Sequence, residues 1–353
     1  MPSSQPHRIQ LPREVIVGSN ILKDMGEICK RLGFYEAVLV LGGPSTRRIA
    51  AGIVIDSLKA AGFQVEEMTV NESTMKFVDR SQHEIREAGP SVVIGVGGGK
   101  VIDVAKLSST REDVPFISVP TAASHDGIAS TYASIKGVEK PTSIEAQAPI
   151  AIIADTRIIV ESPYRLTASG CGDVVAKYTA VRDWKLAHKL KNEYYGEYAA
   201  SLALMGAKLI MENANLIRRA TEDSLRTVLE ALINCGVATS IAGSSRPCSG
   251  SEHLFSHALD QIAPKPALHG EQCGVGTIMM AYLHGANWQH VLQSLQIIGI
   301  PTTAKQLGIM DEYIVEALIH AHEVRPERYT ILGERGLSKE AATRLAKITK
   351  VID

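Results

Sequence analysis

A stretch able to cross a bilayer is missing from this 353-residue sequence: no apolar run approaches the roughly 18–20 residues required. The N-terminal MPSSQPHRIQLPRE is polar and lacks the apolar segment of a secretory signal, so a cytoplasmic protein is expected. Excess charge is missing too. The 37 basic and 38 acidic side chains leave a net charge of -1, which gives no reason to expect nucleic acid or a membrane surface as partner. Cysteines are few and scattered, at Cys29, Cys171, Cys235, Cys248 and Cys273, with no CxxC pair. An odd, dispersed set argues against a disulfide framework and for reduced thiols. Internal repeats, low-complexity tracts and long linkers are absent as well.

What is present is ordinary folding material. Hydrophobic residues make up 45% of the chain and charged residues 21%, and the length suits two domains. The first 155 or so residues alternate short apolar runs with amphipathic stretches. Strands are predicted at Glu36–Leu41, Phe63–Val70, Ser91–Val96, Pro115–Val119 and Ala151–Ala154. Helices are predicted between them, through Leu58, over Met75–Ala88 and from Lys100 to about Ser109. Runs such as VLVL, VVIGV and AIIA are apolar without alternation, as strands covered on both faces are. From about Val160 onward helical periodicity takes over. Val174, Val175, Tyr178, Val181, Leu186 and Leu190 set it between Asp173 and Lys191. It returns at 197–217, 224–241, 252–262 and 312–323, with Ser338 as N-cap of a last helix ending near Asp353. The fold class is therefore α/β: a doubly wound parallel sheet over residues 1–160, then an all-helical domain over 161–353, joined at Asp155–Pro163.

SVVIGVGGGKVIDVAKL is a strand, a glycine cluster and a helix in succession. Glycines there let a phosphate approach the backbone, and the helix N-terminus offers unpaired N–H groups and a positive dipole end. Asp103 falls near the first turn of that helix. GVGGGK does not fit GxGxxG, so the turn points to a dinucleotide or phosphate without saying which. A second loop, PTAASHDGIAS, follows the strand PFISV at its C-terminal end, where open α/β sheets take ligands. It offers the hydroxyls of Thr121, Ser124 and Ser130, the flexibility of Gly127, and the acid Asp126.

Three further segments carry metal-ligand chemistry. In GCGDVVAK, Gly170 and Gly172 flank an expected helix start that Asp173 opens. GSEHLFSH places His253 and His257 at i, i+4 on one helical face, and PALHGEQCG carries His269 in a loop ahead of another helix. Asp173, His253 and His269 suit a catalytic zinc, which takes three N or O ligands and leaves one position open. They lie 80 and 16 residues apart, so no compact motif announces them. HLFSH lacks the glutamate of HExxH, which argues against a metalloprotease of that type. His7, His83, His188, His284, His290, His320 and His322 read as satisfied core or surface histidines.

Taken in order, GGGKVID, TAASHDGIAS, GCGD, GSEHLFSH and LHGEQ resemble the iron-type alcohol dehydrogenase and glycerol dehydrogenase superfamily, in particular its archaeal glycerol-1-phosphate branch. The resemblance spans nearly the whole chain. It implies an oxidoreductase with NAD or NADP and a zinc ion, a small-molecule substrate, and assembly as a homo-oligomer. The implied reaction is reversible reduction of dihydroxyacetone phosphate to sn-glycerol 1-phosphate, which supplies the backbone of archaeal ether lipids. Position by position it implies Asp173, His253 and His269 as zinc ligands. Gly97, Gly98, Gly99, Lys100, Val101 and Asp103 fall on the cofactor diphosphate side, and Thr121, Ala122, Ser124 and Ser130 nearer the nicotinamide. Asp126 and His257 face the substrate, with His257 or a water moving the proton.

The chain departs from the iron-type pattern four residues after Asp173, where a histidine ligand would stand and Lys177 is found. An ammonium has no lone pair to offer, so a three-ligand site favouring zinc is expected, with Lys177 holding the substrate phosphate. GGPSTRR, after the strand at 36–41, has no acid for a ribose 2′-hydroxyl but has Arg47 and Arg48, so NADPH is expected beside NADH. Three rival readings stay open: a glycerol dehydrogenase without a phosphate site, a dehydroquinate-synthase-like lyase, and a nucleotide-binding regulatory module.

Overall fold

The computed structural model describes residues 9–136 and 142–353, so His7 lies outside the described residues. The chain divides into two units, Ile9–Tyr164 and Arg165–Asp353.

In the first unit the strands are β1 (Glu14–Gly18), β2 (Ala37–Gly42), β3 (Gln64–Thr69), β4 (Val92–Gly97), β5 (Phe116–Pro120), β6 (Tyr132–Ile135), β7 (Thr142–Glu145) and β8 (Ala151–Asp155). Six of them make one sheet in the order β1-β8-β5-β4-β2-β3, parallel throughout. The unalternating runs are its centre: every residue of β4, β5 and β8 is buried. One face is closed by Leu22, Met25, Val54 and Leu58 packed on Val38, Ile94 and Ile153. The chain reverses direction across the sheet between β2 and β4, with β3 outside β2 and β5 beyond β4. The carboxyl ends of strands at such a reversal are where doubly wound sheets take ligands.

Two features escape the sequence reading. EVIVG forms the edge strand β1 against β8, although its five residues sit inside a polar stretch. β6 and β7 pair as a separate antiparallel hairpin, in a stretch for which no strand is predicted.

The second unit is helical. Its longest helix, Tyr164–Lys191, runs 28 residues and places Asp173 well inside it, not at its start. Gly170 and Gly172 therefore lie inside the helix and do not mark its boundary, and Gly172 serves close packing there. His269 likewise is not in a loop; it is the first residue of the helix His269–Leu283. That helix is buried almost all round, so it has no polar face to give it a readable period. Ser338 does cap the last helix, its Oγ accepting from the N–H of Ala341, but Lys339–Ile348 ends short of Asp353. A core of Leu254, Phe255, Leu259, Met279, Ile314 and Leu318 joins Ser251–Ile262, His269–Leu283 and Asp311–Val324. Glu222–Ala242 is long and apolar enough to span a bilayer by composition, which the search for unbroken apolar runs passes over. It is 67% buried among its neighbours and reads as a core helix.

Candidate functional site

In the first unit the three glycines after β4 have three different surroundings. A Cβ on Gly97 would meet Val101 Cγ2 at 2.7 Å, and one on Gly99 would meet His125 Nε2 at 1.9 Å. On Gly98 it would meet nothing within 4 Å. Gly97 and Gly99 are thus required by protein packing, and Gly98 is the position at which a ligand oxyanion can reach the backbone. Gly98 is also the N-cap of Gly99–Arg111, so the unpaired N–H groups of that helix begin there. Lys100 is exposed and Val101 buried.

The loop after β5 lies beside this turn because β4 and β5 are neighbours: the N–H of Thr121 donates to the Gly97 carbonyl at 3.1 Å. Thr121, Ala122 and Ser130 are buried, while Ser124 and Asp126 are partly exposed. His125 is a residue the sequence reading passes over. Its Nδ1 accepts from the N–H of Gly127 at 2.9 Å while the ring covers Gly99. Lys106 is another. It is fully buried, and its ammonium donates to the carbonyls of Gly127 and Tyr132, each at 2.7 Å. Asp103 lies 3.8 Å from it, buried, with Oδ1 lacking a hydrogen bond among the described residues. Desolvation raises the Asp103 carboxyl and lowers the Lys106 ammonium, each opposed by the other's charge. The available signal was a Lys three residues after an Asp on a helix otherwise apolar between them.

The expectation that no acid serves the loop after β2 needs correction. Glu67 of the neighbouring β3 reaches Arg47, with Oε2 2.8 Å from Nη2. The sequence distance of twenty residues hides this pairing, which the parallel register of β2 and β3 creates.

In the second unit Asp173, His253 and His269 come together from three helices. Asp173 Oδ1 stands 3.4 Å from His253 Nε2, and the rings of His253 and His269 are 5.0 Å apart. Cys273 joins them. Donor atoms of His253, His269 and Cys273 all lie within 4.8 Å of one another, compatible with one ion at about 2.0–2.3 Å from each. Cys273 is one turn after His269, a His-x-x-x-Cys spacing that could have been read from HGEQC.

The surroundings aim these donors. His253 Nδ1 meets the buried carboxylate of Glu252 at 2.8 Å, turning Nε2 toward Asp173. Glu252 is itself fixed by the N–H of Gly250 at 2.7 Å and the hydroxyl of Thr179 at 2.8 Å. His269 Nδ1 meets Ser256 Oγ at 3.2 Å. Burial, then the neighbouring His253, pushes the His269 pKa down to about 3, so its ring is neutral with a lone pair to give. Burial also opposes charge on His253, but Cys273, Asp173 and Glu252 hold its pKa well above the usual value. Burial alone would raise Asp173; Lys177 and His253 keep it ionised, well below the usual carboxylate range. Donors of this chemistry, two imidazoles and a carboxylate with a thiol beside them, fit a zinc ion.

Lys177, expected to hold the substrate phosphate, is paired within the site with Asp173. It is wholly buried and its ammonium stands 2.5 Å from Asp173 Oδ1. His257, on the same helix as His253, stacks on His269 with ring centres 5.7 Å apart. Desolvation lowers its pKa, partly offset by Asp260.

The backbones around the site touch. A Cβ on Gly172 would lie 2.2 Å from the Gly270 carbonyl oxygen, and one on Gly270 would lie 1.8 Å from that of Ser169. The two motif glycines let Tyr164–Lys191 and His269–Leu283 approach until Asp173 and His269 share one site.

A parallel sheet with a bare glycine turn, followed by helices that gather a carboxylate and two imidazoles, defines an oxidoreductase of the iron-containing alcohol dehydrogenase type. Residues 16–163 match that family, described as "Iron-containing alcohol dehydrogenase". The chain is 58% identical to the glycerol-1-phosphate dehydrogenase [NAD(P)+] of Methanothermobacter thermautotrophicus, covering 98% of this chain and 99% of that protein. It is 55% identical to the enzyme of the same name from Thermococcus kodakarensis, with the same coverage of 98% and 99%. Among solved structures it superposes on glycerol dehydrogenase from Schizosaccharomyces pombe with a TM-score of 0.81 at 20% identity, covering 98% of this chain and 91% of that one. The chain belongs to the glycerol-1-phosphate dehydrogenase family, whose members are oxidoreductases.

Proposed function

We propose that this protein reduces dihydroxyacetone phosphate to sn-glycerol 1-phosphate reversibly, with NADH or NADPH and a zinc ion, providing the glycerophosphate backbone of ether lipids. The observation that carries this reading is the convergence of the buried Asp173 and His253 with the partly exposed His269, in a chain 58% identical to a glycerol-1-phosphate dehydrogenase [NAD(P)+].

When bound, zinc supplies a Lewis acid for a carbonyl oxygen. The protein's own part is to hold the donors in place. Glu252 fixes the tautomer and direction of His253, Ser256 those of His269, and Lys177 keeps Asp173 ionised before the metal arrives. His257, neutral because it is desolvated, holds or passes the alkoxide proton with a water as relay. Asp126 lies in the loop after β5 with its carboxylate partly exposed and contacts substrate. Gly98, the helix start at Gly99 and Lys100 receive the cofactor diphosphate; Thr121, Ala122, Ser124 and Ser130 line the nicotinamide side, which Lys106 keeps in place through Gly127 and Tyr132. Arg47 and Glu67 explain tolerance for both cofactors. Glu67 can accept from a ribose 2′-hydroxyl, and Arg47 can pair with a 2′-phosphate.

The test is NADH and NADPH oxidation by purified enzyme with quantified zinc, on dihydroxyacetone phosphate and on dihydroxyacetone, with a chiral assay of the product. Preference for the phosphorylated triose and formation of the sn-1 product support the reading. Equal turnover of the unphosphorylated triose would favour a glycerol dehydrogenase instead, and turnover without net loss of NADH would favour a lyase. An NADPH efficiency a thousandfold below that of NADH would remove the dual-cofactor part.

A further inference from the structure

The three helices that carry Asp173, His253 and His269 have a second meeting point, away from the donors. Asp183 lies on Tyr164–Lys191, ten residues and about 15 Å after Asp173. Its carboxylate is fully buried, and each oxygen takes two donors. Oδ2 accepts from the N–H of Ser251 at 2.7 Å and from the Ser251 hydroxyl at 2.5 Å. Ser251 opens the helix Ser251–Ile262, two residues ahead of His253. Oδ1 accepts from Nε2 of His284 at 3.0 Å and from the N–H of Ile331 at 2.7 Å. His284 is the C-cap of His269–Leu283, the far end of the helix that His269 begins. One carboxylate is thus carried by the first ligand helix, holds the start of the second and holds the end of the third.

The fit around Asp183 leaves no slack. A Cβ on Gly250 would stand 2.6 Å from Asp183 Oδ2 and 2.9 Å from Glu252 Oε2, so the chain enters Ser251–Ile262 pressed against both carboxylates. Glu252 Oε2 in turn accepts from the hydroxyl of Thr179 at 2.8 Å. Thr179 and Asp183 stand at i, i+4 on one face of their helix. They hold two successive residues, Ser251 and Glu252, of the helix that next presents His253. The Asp183 carboxylate also meets that helix at its N-terminus, where the dipole favours a negative charge. His284 reads from the sequence as a satisfied histidine. The structure gives its ring a definite task, because its bond to Asp183 is what ties the end of His269–Leu283 to the other two helices.

We propose that Asp183 is a positioning residue for the metal centre: through Ser251 and His284 it fixes the mutual placement of the helices that bear Asp173, His253 and His269. The assignment rests on the proposed zinc site. The task calls for a carboxylate. An amide in its place has one accepting oxygen and one NH2 group, so whichever way it lies the NH2 faces two further donors. Buried donors left unpaired in this way must move apart or carry their full desolvation cost. Asparagine has nearly the same volume, so Asp183→Asn alters the hydrogen bonding and leaves the packing in place.

The experiment loads the full-length, metal-free protein with zinc or with cobalt(II), and compares it with Asp183→Asn, His284→Leu and His284→Gln. The visible absorption of bound cobalt reports the arrangement of its ligands. Read at saturating metal and well below the melting temperature, it does not move when a variant is merely less stable. Asp183→Asn should shift the cobalt bands and lower zinc affinity about 10- to 100-fold, the size found for partners that orient metal ligands. His284→Leu should shift the bands in the same direction by a smaller amount. His284→Gln, whose amide can donate where the ring Nε2 does, should keep the spectrum of the unaltered protein. An unchanged cobalt spectrum in folded Asp183→Asn would overturn the positioning role, whatever the zinc affinity. Should Asp183→Asn not fold, as circular dichroism would show, the two His284 variants decide, and identical spectra in both would overturn it. If the unaltered protein takes up neither ion, the zinc reading falls and the positioning role with it. Uptake with no spectral change in Asp183→Asn removes the positioning role alone.

Discussion

Gly172 faces the backbone of Gly270 so closely that a methyl group on Gly172 would stand 2.2 Å from the Gly270 carbonyl oxygen. One helix thereby brings Asp173, and the other His269, to a common point. Backbone cannot yield as a flexible side chain can, so Gly172→Ala must push the two helices apart. Overpacking of this kind costs about 1–3 kcal/mol. The expected outcome is a lower melting temperature together with zinc content well below one ion per chain. Full zinc occupancy in Gly172→Ala would show that the helix spacing is not what assembles the site.

Glu252 is fully buried, and its carboxylate meets His253 Nδ1 at 2.8 Å. Glu252→Gln keeps the shape and removes the charge that orients and enriches the imidazole. Zinc affinity is expected to fall about 10- to 100-fold, as for other carboxylates behind metal-bound histidines. Competition against a chromophoric chelator measures it directly.

Lys177 and Asp173 make a buried ion pair at 2.5 Å. Removing one partner of such a pair costs about 3–5 kcal/mol, because the other charge is left uncompensated. Lys177→Met should therefore destabilise the metal-free protein strongly. A dication can neutralise Asp173 in the lysine's place, so the zinc-induced rise in melting temperature should be larger in Lys177→Met than in the unaltered protein. Equal rises would mean that the lysine does not balance the charge of Asp173.

The pH dependence of zinc binding follows from His253. Its metal-free pKa is held above the usual value by Cys273, Asp173 and Glu252 against the opposing effect of burial. Zinc needs the neutral ring, so below that raised pKa binding must expel a proton. Apparent affinity should climb about tenfold per pH unit as pH rises and level off once the pKa is passed. His269, with a pKa of about 3, releases no proton in the neutral range. An affinity that stays flat from mildly acidic to mildly alkaline pH would show His253 already neutral before the metal arrives.

Gly98 separates the cofactor from the fold. Its φ of -76° suits any L-residue and its Cβ would meet nothing within 4 Å, so Gly98→Ala should change stability by no more than about 0.5 kcal/mol. The methyl would occupy the approach of the diphosphate, and the KM for NADH and NADPH should rise at least about tenfold. A variant with unchanged KM would place the diphosphate elsewhere.

The sequence by itself determined the parallel sheet, because strands covered on both faces must be apolar along their length, as β4 is throughout and β8 is up to its last residue, Asp155. It pointed to the glycine turn and to Asp173, His253 and His269 as candidate metal donors by residue type, since few side chains have the required lone pairs. The tertiary structure alone decided what these residues do to one another. Only there does Gly98 stand open while Gly97 and Gly99 are packed, does Glu67 come across from β3 to Arg47, and does Cys273 join two histidines. The start of the helix at His269 was hidden because an element buried almost all round has no periodic polar face to mark its bounds. Lys106 reads as an ordinary lysine and Lys177 as a phosphate holder, because burial is a property of packing that neighbours four or some twenty positions away fix. The same reason separates Arg246 and Arg328 in the sequence by 82 residues, while in space each binds the segment that carries the other.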